Sequence, residues 1–204
     1  MTLTTWLALF SVSLLGAMSP GPSLAIVAKH TLAGGRVNGI AAAWAHALGI
    51  GVYALLTLLG LAVVLQQMPM VFHAVSYAGA GYLAYLGWQA LRSQGGIADK
   101  LSSGNAVPWY QSAREGALIS LLNPKIALFF IALFSQFVHL DYDHWDKLTV
   151  IATPTLIDGL WYTLMALLLS QSHVVSMIRR HAVWIDRVTG VVFLALAAQV
   201  FIHG

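Results

Sequence analysis

The stretch Leu15-Gly-Ala-Met-Ser-Pro-Gly-Pro-Ser-Leu24 interrupts an apolar run in which no Asp, Glu, Lys or Arg occurs before Lys29. Pro20 and Pro22 lack backbone donors, and Gly21 between them loosens the helix. Hydrocarbon cannot satisfy the carbonyls released in this way, so a break at membrane depth must be enclosed by protein or face a water-filled cavity. On that ground Ser19, Pro20, Gly21, Pro22 and Ser23 are candidate site residues.

The composition around the break places it in a bilayer. Of 204 residues, 59% are hydrophobic and only 8% are charged, with a mean hydropathy of +0.78. That is too little charge to cover a soluble globule of this size. The absence of cysteine excludes a disulfide framework and a thiolate metal site. The formal charge is +3, but the Lys and Arg residues are scattered and form no basic stripe, which argues against a nucleic-acid partner.

A helix needs about 20 apolar residues to cross the hydrocarbon core. The uncharged intervals predict six spans, at about 3–28, 39–65, 70–91, 117–138, 148–169 and 183–202. Together they make residues 1–204 a single transmembrane domain, with halves of about 1–92 and 115–204 joined by a polar loop of about 93–114. Met1-Thr-Leu-Thr-Thr-Trp6 lacks the positive charge of a signal peptide, so the first span is expected to be retained. Lys29 and Arg36 fall in the first loop, Arg92, Lys100 and Arg114 in the third, and Arg179, Arg180 and Arg187 in the fifth. The second loop has no such residue, and the fourth has only Lys147 beside three Asp residues. The odd-numbered loops are therefore expected in the cytoplasm and both termini outside.

The two halves echo one another. Asn123-Pro124-Lys125 interrupts the fourth span as Ser19-Pro20-Gly21-Pro22 interrupts the first. Ala78-Gly-Ala-Gly-Tyr-Leu83 in the third likewise resembles Thr189-Gly-Val-Val-Phe-Leu194 in the sixth. Three spans per half is an odd number, so the second copy would enter the membrane from the opposite side. The fold expected is an all-α integral membrane protein of two inverted three-helix repeats with Pro-broken helices 1 and 4. Interrupted segments at corresponding positions point to a secondary transporter's substrate site.

These residues also resemble a known family. Ser19-Pro-Gly-Pro22, Gly35-Arg-Val-Asn-Gly39, Gly49, Gly60, the run from Ala78 to Gly87, Leu122-Asn-Pro-Lys-Ile-Ala-Leu-Phe-Phe130, Gln136-Phe137 and Asp186-Arg-Val-Thr-Gly190 are similar to the lysine exporter (LysE/RhtB) family of amino-acid efflux proteins. The resemblance implies export of amino acids or related small metabolites across a bacterial inner membrane, driven by the proton gradient. The chain departs from the family at Ala45, where Gly is usual, at Ser135, where Pro is usual, and at His46.

Each candidate residue has a physical role open to it. The half-helix after a break presents free N–H groups and a positive dipole end, which suit a substrate carboxylate. The carbonyls before Pro20 and Pro124 can accept from an α-ammonium group, Ser23 can cap or donate, and Asn123 offers both a donor and an acceptor. The same residues can also simply kink and pack helices. Aliphatic residues near the breaks, Leu24, Ile26, Leu121 and Ile126, favour a neutral zwitterion over a dibasic substrate.

Lys125 and Asp158 are the charged residues placed deep within spans, where insertion costs about 2.5–3.5 kcal/mol. A mutual pair would satisfy both. In a functional version Asp158 carries the coupling proton, while Lys125 holds the substrate carboxylate or tunes Asp158. His46 can relay protons or act as a neutral interhelical hydrogen bonder. Lys29 and His30 read as cytoplasmic anchors, and Tyr82, Tyr85 and Trp88 as packing, interfacial or pathway aromatics.

The alternative substrate is a divalent metal ion. The loop at 139–146 gathers His139, Asp141, Asp143, His144 and Asp146, but it faces outside and the histidines show no repeated ligand spacing. No resident metal or other cofactor is expected. A nucleophile–base set and a phosphate-cradling loop are both missing from the sequence, which argues against an enzyme. The partners expected are an amino-acid substrate, protons and lipid. A homodimer is compatible with the sequence, although no glycine motif singles out a dimer face.

Overall fold

The computed structural model describes residues 1–96, 105–131, 137 and 142–203. Regular structure among them is helical: α1 (Leu3–Met18), α2 (Pro22–Gln67), α3 (Pro69–Leu91), α4 (Trp109–Leu122), α5 (Pro124–Phe129), α6 (His144–Leu169), α7 (Ser172–Arg180) and α8 (Ala182–His203). Pro22, Pro69 and Pro124 each open a helix, where a missing N–H removes no helical hydrogen bond. Among the described residues three stretches, Pro22–Gly60, His144–Leu169 and Ala182–Ile202, are long and apolar enough to cross a bilayer, and α1 is a shorter apolar helix.

The segment α2 is two helices folded back on one another. Over 23 residues a straight helix would separate Ser23 from His46 by about 35 Å, yet Ser23 Oγ lies 2.8 Å from His46 Nε2. The reversal occurs at Gly35, whose φ of 79° and ψ of 179° suit a residue without a Cβ. Just beyond it, a Cβ on Gly39 would lie 2.0 Å from Thr31 Oγ1, so the arms approach more closely than any other residue would permit. The first loop expected from the sequence is thus a one-residue turn, with Lys29 and Arg36 on the arms beside it.

Two apolar clusters form the core. One joins Leu9, Leu58, Leu83, Phe130 and Phe193. The other joins Leu24, Val27, Ala42, Ala43 and Tyr162 across the arms of α2 and α6. The main packing partners are α2 with α4 and α6, α3 with α8, and α1 with α6. Where α3 crosses α8 the backbones touch: a Cβ on Gly87 would lie 2.9 Å from Gly190 O, and one on Gly190 would lie 2.7 Å from Gly87 O.

Two further differences from the sequence reading stand out. The helix α4 begins at Trp109, inside the stretch read as polar loop, because its first turns pack against α2. In the segment read as the fifth loop, Ser-His-Val-Val-Ser-Met-Ile-Arg-Arg forms α7, an amphipathic helix too short and polar for a spanning signal. The end of the fourth span, at 132–136 and 138, lies outside the described residues.

Candidate functional site

The two breaks meet. Ser19 leaves α1 in an extended conformation (φ −66°, ψ 117°), and Asn123 links α4 to α5 in a similar one (φ −82°, ψ 110°). From the first turn of α5, Lys125 reaches across to the other break. Its Nζ donates to Ser19 O at 3.3 Å, to Pro20 O at 3.4 Å and to Ser19 Oγ. The ammonium thereby satisfies carbonyls that α1 leaves without helical partners. A Cβ on Gly21 would lie 3.0 Å from that ammonium, so glycine makes room for it. Asn123 Oδ1 accepts from Lys125 N at 3.0 Å and caps α5, while Asn123 Nδ2 is buried with no hydrogen-bond partner among the described residues.

A buried polar chain lies beside this crossing. His46 Nδ1 is 2.7 Å from Asp158 Oδ2, and His46 Nε2 is 2.8 Å from Ser23 Oγ. Tyr162 meets the imidazole edge-on, with ring centroids 5.3 Å apart. His46, Asp158 and Tyr162 are all buried, and the imidazole and carboxylate pair with one another as buried polar groups do.

Two cavities flank Lys125. The inner chamber, about 50 Å³, is bordered by Ser19, Ser23, His46, Asp158 and Tyr162 and has room for a few waters. The wider vestibule, about 720 Å³, is bordered by Pro20, Gly21, Pro22, Asn123 and Pro124 from the breaks, with Tyr82, Tyr85, Trp88 and Asp186 from α3 and α8. Among the described residues Lys125 alone borders both. At the far end of the first α2 arm, Lys29 Nζ and His30 Nε2 contact Glu115 Oε2 at 2.8 and 3.0 Å, and His30 Nδ1 contacts Ser112 Oγ at 3.0 Å.

Both proline-broken segments thus meet at one site, and residues 14–204 match the family described as LysE type translocator. The chain belongs to the LysE type translocator family. Relatives of this translocator include the threonine efflux protein of Salmonella typhi, 28% identical over 194 residues covering 94% of both chains. The leucine efflux protein of Salmonella choleraesuis is 30% identical over 125 residues, 61% of this chain and 59% of its own. The uncharacterized membrane protein YahN of Escherichia coli K12 is 31% identical over 163 residues, 79% of this chain and 71% of its own. No solved structure matches the chain.

Within the translocator, the break residues Ser19 to Ser23 and Asn123 to Lys125 cluster as the sequence anticipated, but the charges pair differently. Asp158 pairs with His46 instead of Lys125. The reason is geometric: Asp158 faces the α2 arm that carries His46, and the ammonium of Lys125 is drawn to the open carbonyls of the first break. Of the aliphatic residues expected around the breaks, Ile126 borders the inner chamber, whereas Leu121 is 42% exposed. In the 139–146 loop, Asp143 caps α6 and Asp146 pairs with the Met1 amine at 2.6 Å. His139 and Asp141, like Ser135, lie outside the described residues, and no metal-holding group occurs among the described ones.

Three residues of the translocator were not among the candidate site residues read from the sequence, although Asp186 opens one of the motifs quoted there. Asp186 is buried against the vestibule and accepts from Ser93 Oγ at 2.5 Å. A charge near the start of a predicted span was the signal for it. Tyr162 offered no signal beyond its apolar helix. Glu115 stands at the boundary of the fourth span much as Lys29 stands at that of the first, and the matched, opposite positions were a readable cue.

Proposed function

We propose that this translocator exports a small neutral amino acid, or a related zwitterion, from the bacterial cytoplasm by proton antiport with alternating access. The observation that carries this reading is the meeting of both proline breaks at one cavity wall that offers an ammonium, an unused amide donor and backbone carbonyls. Lys125 and Asn123 Nδ2 receive the substrate carboxylate, and the carbonyls of the first break receive its ammonium. The names of the threonine and leucine efflux relatives support the substrate class.

Proton coupling falls to Asp158 and His46, which pair next to the inner chamber and within reach of Ser23. The fold is read as six spans in two inverted three-helix repeats, forming one transmembrane domain in the inner membrane with both termini outside. The like-with-like packing of α3 on α8 and of α2 on α6 supports that reading. The basic residues around Arg92 set the vestibule on the cytoplasmic side.

Purified protein in liposomes, given labelled threonine, leucine and a divalent metal with and without an imposed pH gradient, tests the proposal. Gradient-dependent movement of an amino acid is expected. Metal movement without amino-acid movement would overturn the assignment and return the 139–146 loop to consideration.

A further inference from the structure

We propose that Lys125 is a displaceable plug between vestibule and inner chamber, released by a ligand that carries both an ammonium and a carboxylate. The proposal rests on the export reading above and assigns a selectivity mechanism to the same site.

Among the described residues Lys125 is the one that borders both cavities, and its Nζ is seated on Ser19 O, Pro20 O and Ser19 Oγ. An α-ammonium group has the same charge and the same three N–H donors as this ammonium. It can therefore take over the oxygens of the first break. The displaced Lys125 ammonium is still a cation, and an amino acid carries a carboxylate to receive it two bonds from its amine. Asn123 Nδ2, buried and without a partner among the described residues, offers that carboxylate a second donor. The exchange pairs the break carbonyls, the Lys125 ammonium and the Asn123 amide, and moves that ammonium off the wall between the cavities.

Neither half of the ligand can do this alone. A simple amine would set two ammonium groups against one set of carbonyls. A simple carboxylate would draw Lys125 away and leave the Ser19 and Pro20 carbonyls bare. Both outcomes strand buried polar groups, which is what makes discrimination large. The empty protein stays sealed for the same reason, because its own ammonium occupies the substrate's seat.

The test is counterflow of labelled leucine in proteoliposomes, with unlabelled leucine, 3-methylbutylamine (its decarboxylated form) or 4-methylpentanoate (its deaminated form) as competitor. In the wild type the amine and the acid should each compete about 100-fold more weakly than leucine. In Lys125→Met the carbonyls stand vacant, so the amine should gain at least about tenfold relative to leucine while the acid gains nothing. Gly21→Ala is a second route that keeps Lys125 in place. Its new Cβ would lie 3.0 Å from Nζ, so the ammonium must yield and the amine should gain in the same direction. An unchanged amine-to-leucine ratio in both variants, or an amine that competes equally with leucine in the wild type, overturns the plug. Absence of any threonine or leucine counterflow in the wild type overturns the export reading itself, and the plug with it.

Discussion

His46 Nδ1 stands 2.7 Å from Asp158 Oδ2 and ties the second arm of α2 to α6 through a pair sealed from solvent. Removing one partner of such a pair strands the other, at about 3–5 kcal/mol. His46→Ala should therefore lower the unfolding temperature in detergent markedly. Asp158→Asn keeps the shape and a hydrogen-bonding group, so the protein should still insert. It should lose pH-gradient-driven accumulation while retaining amino-acid exchange, and gradient dependence that survives would remove Asp158 as the proton carrier.

Asn123 separates stability from binding. Its Oδ1 caps α5 whereas its Nδ2 has no partner among the described residues. Serine caps helices about as well as asparagine but lacks the amide donor. Asn123→Ser should thus leave the unfolding temperature nearly unchanged and weaken substrate binding about tenfold or more, a loss of about 1.4 kcal/mol or more. Ligand-dependent thermal shifts give both quantities on one sample.

Gly87 and Gly190 predict a coupled pair of stability losses. A Cβ on either would strike the backbone oxygen of the other, and backbone cannot swing aside as a side chain can. Gly87→Ala and Gly190→Ala should each cost about 1–3 kcal/mol. The double variant should cost less than their sum, because once α3 and α8 have been forced apart the second methyl finds room. Additive losses in denaturation would show that the helices do not separate as a unit.

Glu115 lies ahead of the fourth apolar interval read from the sequence, in the part-exposed first half of α4. The hydrogen bond from Lys29 holds its carboxyl below the usual carboxylate range, against the opposing effect of partial burial. A folded pKa below the unfolded one adds stability above the unfolded value, near 4.3, and loses it as pH falls through the folded value. Lys29→Met should therefore lower stability slightly at neutral pH, by less than about 1 kcal/mol because the pair is part-exposed. The difference should shrink as pH falls below the unfolded value and in high salt, as melting scans of both proteins across pH would reveal.

Much of the helical layout was legible because the chemistry that writes it is local. Prolines mark the starts of α2, α3 and α5, and uncharged intervals mark the apolar helices. The candidate cluster at the breaks was legible for the same reason, since a lost helical donor is a property of the residue itself. Pairing was not. Nothing within ten residues of Asp158 says that its partner is His46 rather than Lys125, because that choice depends on how α2 folds at Gly35. Likewise α7 disappears in a search for apolar length, since its signal is the segregation of two faces.

The turn at Gly35 gives α2 the form of a pair of tongs. Ser23 and His46 stand twelve and eleven residues from the turn, so the two lengths between turn and contact are nearly equal, at about 17 Å each, and the second arm runs on beyond them to Gln67. Their tips meet in a 2.8 Å hydrogen bond. With a single residue as pivot there is no slack for one jaw to slide along the other. A shift at Pro20 to Pro22, where one jaw begins, is therefore delivered as opening or closing at the tips, beside the acid that His46 holds.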